Sequence, residues 1–242
     1  MKKERLDKIL ASQNLGSRKE VGTIIRSGRT CVNGVTVRRP EQKVDPQSDV
    51  ITVDHQILKF KQHLYIMMNK PAGVLSASRD PHARTVVDLL PPSLQRRGIF
   101  PAGRLDKDTR GLLILTDDGA FAHRMLSPKS HVMKWYEAVV ESPISKEDIL
   151  SFRTGVKLSN DITCLPAELS VLQNSEHPTV LVGLHEGKFH QVKRMFLSRN
   201  NRVLSLRRIR IGDLFLDTEL PEGNARELDK TEIELIFQTP HG

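Results

Sequence analysis

Cysteine is almost missing from this sequence. Cys31 and Cys164 are the only two in 242 residues; they lie far apart, and neither has a metal-ligand partner at short spacing. A disulfide scaffold or a cysteine zinc site is therefore not expected, and a reducing cytoplasm fits. Long apolar runs are missing as well. None approaches the roughly 20 residues that a bilayer span needs, so no membrane partner is expected. The opening MKKERLDKIL has basic residues but neither an apolar stretch nor a small-residue cleavage site, and it does not read as a signal peptide. There is no internal repeat and no low-complexity stretch.

Several catalytic signatures are absent too. The nearest approach to a phosphate loop, Gly183 to Lys188, is one residue short and runs into Phe189. No G-x-G-x-x-G is present, and the nine histidines show no H-E-x-x-H spacing. Asp106-Lys107-Asp108 has the D-x-D spacing of aspartyl-phosphate phosphatases. That motif follows a buried strand, whereas here the dry run Leu112 to Leu115 comes after the aspartates. Neither a cofactor nor a metal is expected.

What the chain does have is positive charge. The formal net charge is +8, which favours a polyanionic partner, nucleic acid first. The excess is uneven: residues 1–60 hold 12 Lys/Arg against 7 Asp/Glu. Within them, Leu6, Ile9 and Leu10 carry the spacing of an amphipathic helix over Arg5 to Asn14. Ser17-Arg18-Lys19-Glu20 is a capping box opening a second helix, which Gly28 stops. Thr30–Val32 and Val35–Val37 flank Asn33-Gly34, a strong hairpin signal, and a strand at Val50 to Val53 closes the unit.

The stretches RLDKIL and LGSRKEVGTIIRSGRTCVNGVTV resemble the small RNA-binding module first known from a small-subunit ribosomal protein, the S-four module, over about residues 4–54. The resemblance implies structured RNA as partner, with a phosphate-contacting face at Arg5, Ser17, Arg18, Lys19, Arg26 and Arg29.

Residues 1–58 are read as this module, 59–63 as a linker and 64–242 as a larger domain. Strand-like runs are expected at 64–68, 112–116, 134–140, 168–172 and 179–184, with helical patterns near 84–90, 117–126, 145–153, 189–199 and 229–237. Strands and helices do not alternate strictly. The fold class is therefore α+β, with a mixed, mostly antiparallel sheet.

Three patches stand out. Arg104, Asp106, Lys107, Asp108 and Arg110 crowd between Gly103 and Gly111, directly before the dry run. They form either a salt-bridged surface loop or the edge of a cleft with one working carboxylate. Lys134, Tyr136 and Ala138 share one face of a strand. Tyr136, one of two tyrosines, is either a core residue with a partnered hydroxyl or a ring that stacks on a base. In Glu186 to Phe196, Val192, Met195 and Phe196 follow helical spacing beside the basic pair Lys193-Arg194.

The three patches, as GRLDxDTxGLLLLTDDG, KxY and EGxxHQVKRMF, resemble in this order the pseudouridine synthase family of the small-subunit ribosomal RNA type, whose relatives act on large-subunit RNA. Asn69 to Gly73 and Ser127-Pro128 extend the likeness. The family isomerises uridine within RNA: the base is cut from C1′ at N1, turned and rejoined through C5, and no cofactor or metal is needed. The resemblance implies Asp106 as the essential aspartate, acting as nucleophile or as stabiliser of the sugar cation. It implies Lys193, with Arg194 as fallback, as the cation that holds Asp106 charged. Tyr136 would pack on the uracil. His190 and Gln191 would contact substrate. Arg104 would fill the stack vacated by the flipped uridine or pair with Asp108. The HQVKRM wording and the compact stretch after it point to 16S ribosomal RNA, with 23S RNA as the alternative substrate. Size and charge are those of a monomer. A non-catalytic ribosome-assembly factor and a phosphatase are the competing readings.

Overall fold

The computed structural model describes residues 3–158 and 162–238 of the chain. They form two compact units. One runs to Leu64 and takes in Gln95–Gly98; the other comprises Tyr65–Leu94 and the chain from Ile99 onward.

In the first unit, β1 (Glu4–Arg5) leads into α1 (Leu6–Ser12), which buries Leu6, Ile9 and Leu10. Helix α2 (Arg18–Arg26) opens on the expected capping box: the Ser17 hydroxyl accepts from the Glu20 amide, and the Glu20 carboxylate accepts from the Ser17 amide. Strands β2 (Thr30–Val32) and β3 (Val35–Val37) form the hairpin. Asn33 and Gly34 both have positive φ, 51° and 81°, as a tight turn of this kind demands. Next come β4 (Lys43–Val44), which pairs with β1, then β5 (Ile51–Val53) and β6 (Gln56–Ile57). The second sheet of the unit has the order β3-β2-β5-β6. Its Val32, Val37 and Ile51 meet Leu6, Ile9, Leu10, Val21 and Ile25 of the helices in one core. Each such side chain, fully buried, contributes about 1.5–3 kcal/mol.

The second unit is built on a nine-stranded sheet. In chain order come β7 (Tyr65–Lys70), β8 (Phe100–Pro101), β9 (Arg110–Thr116), α3 (Gly119–Leu126), β10 (Lys134–Val140), α4 (Lys146–Thr154), β11 (Glu168–Gln173) and β12 (Thr179–Leu184). Then follow α5 (Gln191–Leu197), β13 (Val203–Ile211), β14 (Leu214–Phe215), β15 (Ala225–Glu227) and α6 (Lys230–Leu235). The main path is β11-β12-β10-β13-β9-β7-β15, with β14 on β13 and β8 on β9. Every pairing is antiparallel except β13 with β9.

That parallel seam is short, Arg207 with Arg110 and Arg208 with Gly111. Gly111 has φ 99°, and a Cβ there would drive into the Arg208 carbonyl, so the close approach of the two strands requires glycine. Leu112 to Leu115 are wholly buried, on both faces of β9. The acidic turn after them caps α3: Asp118 accepts from the amides of Ala120 and Phe121.

Two expectations need correction. The helix near 84–90 is only a 3₁₀ turn, Val87–Leu89. Asp88 takes up the amide and hydroxyl of Thr85, and Pro91-Pro92 bars any continuation. The longest strand, β13, lies in a stretch for which no strand is expected, and it occupies the middle of the sheet. Three arginines in VLSLRRIRI give it a surface-like composition. Two of them become tolerable only by packing: Arg208 is buried, and Arg210 lies over the rings of Trp135 and Phe215.

Candidate active site

Asp106 sits in the loop that joins β8 to β9, and the backbone of that loop is held from beneath. Lys70, the last residue of β7, is fully buried. Its ammonium donates to the carbonyls of Pro71 (2.9 Å), Asp106 (3.2 Å), Lys107 (3.3 Å) and Thr109 (2.9 Å). Burial pulls this ammonium down to about 8. On the neighbouring stretch, the Ser76 hydroxyl donates to the Leu105 carbonyl (2.8 Å) and accepts from its amide (3.1 Å). The Gly73 amide donates to the Lys107 carbonyl (2.8 Å). The loop therefore turns its carbonyls inward and its charged side chains outward, which is how five charges fit directly before a dry strand.

Lys193, on α5, reaches this loop. Its Nζ lies 3.3 Å from Asp106 Oδ2 and 2.5 Å from Asp108 Oδ1. The Lys193 hydrogen bond is the main cause holding the Asp108 carboxyl below its usual range. Arg194 makes no ion pair among the described residues. Helix α5 aims Lys193 because Val192, Met195 and Phe196 anchor the opposite face in the core. His190 precedes it in the left-handed region (φ 49°), with Nε2 3.6 Å from Asp106 Oδ1.

Tyr136, 9% exposed on β10, lines the same pocket as Asp106, Thr109, Leu184 and Leu206. Its hydroxyl accepts from Arg208 Nη1 at 3.5 Å. Arg208 Nε donates to the Leu112 carbonyl (2.7 Å), while its Nη2 is buried without a partner among the described residues. Lys134, on the face of Tyr136, is buried and pulled down to about 8 by burial and by the nearby Arg208 charge. The buried Thr109 hydroxyl in the pocket wall also has no partner among the described residues. An unmet group of this kind costs about 1–3 kcal/mol, so it is a ready donor or acceptor for a ligand.

The remaining expected residues fall into two groups. Arg104 is exposed, lines the pocket and makes no ion pair with Asp108, which Lys193 takes instead. Gln191 is buried, with both ends of its amide engaged by Glu186 (2.8 Å) and the Lys188 amide (2.8 Å). In the first unit, Arg5 and Arg18 converge on buried Asp7 at 2.8 and 3.4 Å, and Arg29 pairs with Asp54 at 2.5 Å. The Ser17 oxygen is occupied by its helix cap. Lys19 and Arg26 carry no ion pair among the described residues.

Lys70, Thr109 and Arg208 are the site-shaping residues that the sequence reading passed over. Lys70 lies there only within the Asn69 to Gly73 likeness, just past the expected strand 64–68, and Arg208 lies in the unexpected β13. A basic residue at the end of an otherwise dry strand is the one signal that was available.

Among the described residues, no group of three or more His, Cys, Asp or Glu is placed to hold a metal ion. No helix there is long and apolar enough to cross a membrane.

Comparison with known proteins matches residues 64–198 to the family described as RNA pseudouridylate synthase and residues 4–51 to the S4 domain. The "Uncharacterized RNA pseudouridine synthase YtzG" of Bacillus subtilis is 44% identical over 96% of this chain and 98% of its own length. The "Ribosomal small subunit pseudouridine synthase A" of Escherichia coli K12 is 39% identical over 96% of this chain and 99% of its own. A crystal structure of a pseudouridylate synthase superposes with a TM-score of 0.67 at 33% identity, covering 96% of this chain and 99% of that one.

Proposed function

The chain belongs to the RNA pseudouridylate synthase family, and on that premise we propose that it converts one uridine of small-subunit (16S) ribosomal RNA to pseudouridine with Asp106 as nucleophile. The observation that carries the catalytic part is the convergence on Asp106. A carboxylate at the mouth of a pocket, 3.3 Å from an ammonium, sits beside a tyrosine ring and an unpartnered hydroxyl. The small-subunit part is supported by relatives of that name that run the length of this chain.

In this reading the target uridine leaves its stack and enters the pocket. Arg104, exposed and unpaired, takes the vacated place. The uracil lies against Tyr136, with Thr109 free to hydrogen-bond to it. As the N1–C1′ bond breaks, the Asp106 carboxylate bonds to the electron-poor C1′, with the Lys193 ammonium 3.3 Å from it. The base turns, C5 bonds to C1′ and displaces the Asp106 carboxylate from it, and the proton lost from C5 is balanced by one gained at N1. Atoms and electrons balance without a cofactor. Lys19 and Arg26 of the S4 domain, which make no ion pair among the described residues, are cations left for phosphate. The enzyme acts in the cytoplasm as a monomer, which sedimentation checks.

The test is incubation with unmodified ribosomal RNA without added metal, followed by a pseudouridine-specific label. Wild-type chain labels small-subunit RNA; Asp106→Asn does not, yet binds the RNA within a fewfold. Label in large-subunit RNA alone would correct the substrate. No label in either RNA would overturn the reading.

A further inference from the structure

Phe189 has no place in the core. It is 73% exposed, and its ring contact is with His190, parallel at 3.8 Å between centroids and 17° between planes. The His190 ring lies between Phe189 and the pocket, with Nε2 3.6 Å from Asp106 Oδ1. The outer face of a two-ring stack is thus presented to solvent, one ring away from the reacting carboxylate. The pair borders an open cleft of about 420 Å³ whose wall also carries Arg104 and Lys107, the Asp106 carboxylate, and Lys188, which pairs with Glu186 at 2.6 Å. That volume falls in the usual range of about 300–1,000 Å³ for small-molecule sites. An exposed aromatic ring among cations is the combination that holds single-stranded nucleic acid, stacking the bases while the cations follow the phosphates.

We propose that Phe189 is a second nucleobase subsite, which stacks the base of the nucleotide next to the target uridine in the substrate RNA. This rests on the proposed function for the identity of the neighbouring nucleotide, not for the stacking itself. His190 backs the platform and ties its position to Asp106. The adjoining base is then fixed relative to the carboxylate that attacks its neighbour. Because every base has a stacking face, the subsite selects for an unpaired, accessible neighbour more than for one sequence.

Phe189→Ala and Phe189→Trp are compared on the RNA that the wild-type chain modifies, intact and with an abasic position on either side of the target. The alanine variant loses about ten- to a hundredfold in kcat/KM on intact RNA, while tryptophan stays within about threefold. At one flank the abasic position costs the wild type a similar factor and costs Phe189→Ala almost nothing. An alanine variant within about twofold of wild type would overturn the proposal. So would an abasic penalty equal in both proteins at both flanks, as a merely structural role requires. Should the wild-type chain convert no uridine, the proposed function fails, and the subsite is decided by binding. A short single-stranded RNA centred on uridine with 2-aminopurine beside it is quenched by wild-type chain and not by Phe189→Ala; equal quenching would sink the subsite.

Discussion

The two units use positive charge in opposite ways. In the first, three arginines are answered by carboxylates: Arg5 and Arg18 by buried Asp7, Arg29 by Asp54. The exposed Arg29–Asp54 pair contributes little, about 0–1 kcal/mol, and the unit's excess of Lys and Arg gives a positive surface whose field is felt by a polyanion. In the second, Lys70, Lys134 and Arg208 are buried, and none of them makes an ion pair among the described residues. A buried cation without a counter-ion is expensive, and such cations persist where they organise something else. Lys70 gathers three carbonyls of the loop that carries Asp106, together with that of Pro71, and Arg208 ties Tyr136 to the Leu112 carbonyl. Charge on the surface sets where RNA collects. Charge in the interior sets where a loop and a ring stand.

That contrast is open to experiment. The largest effect is expected from Lys70→Met. It leaves buried carbonyls without a donor, each hydrogen bond to a charged group being about 1.5–3 kcal/mol. Denaturant unfolding should show a loss of at least about 3 kcal/mol, and pseudouridine formation should fall at least a hundredfold. Full activity in this variant would show that the loop is held from elsewhere. Lys193→Met separates the two effects: a hundredfold loss in kcat is expected with stability within about 1 kcal/mol, because this ammonium is partly exposed.

The next effect is in pH. Lys70 and Lys134 both titrate near 8 in the fold and near 10.4 when unfolded. Between those values the unfolded chain binds more protons, so these groups make stability rise with pH across about 8 to 10. Turnover should move the other way, since deprotonated Lys70 gives up one of its donated hydrogen bonds. A falling kcat above pH 8 with an unchanged or rising melting temperature is the expected pattern. A parallel fall in both would remove it. Smallest of all, Lys19→Gln and Arg26→Gln should each weaken RNA binding only severalfold, lower the salt slope by about one, and leave kcat alone.

Much of this could be read before any coordinates. The capping box at Ser17 and Glu20 and the Asn33-Gly34 turn are local: each rests on hydrogen bonds or φ values that nearby residues supply. The apolar spacing of Leu6, Ile9 and Leu10, or of Val192, Met195 and Phe196, announces a buried face with the period of a helix. The charged crowd before Leu112 to Leu115 marked the loop that lines the candidate pocket. What stayed hidden were features made by partners remote in sequence. The loop depends on Lys70, 36 residues before Asp106. Strand β13 reads as too basic until Arg208 meets Tyr136, 72 residues earlier.

The sequence alone determined the local elements, the family likeness and the identity of the candidate chemical groups, because periodicity, caps, turns and motif order are short-range properties. Only the tertiary structure decided which charges pair, which are buried and which face the pocket. It gave Asp108 to Lys193 rather than to Arg104, engaged the Gln191 amide inside the protein, and left Phe189 exposed beside the pocket. The reason is physical: a charge or a ring acquires its role from burial and from neighbours within a few ångströms, and chain folding alone assembles those neighbours from distant parts of the sequence.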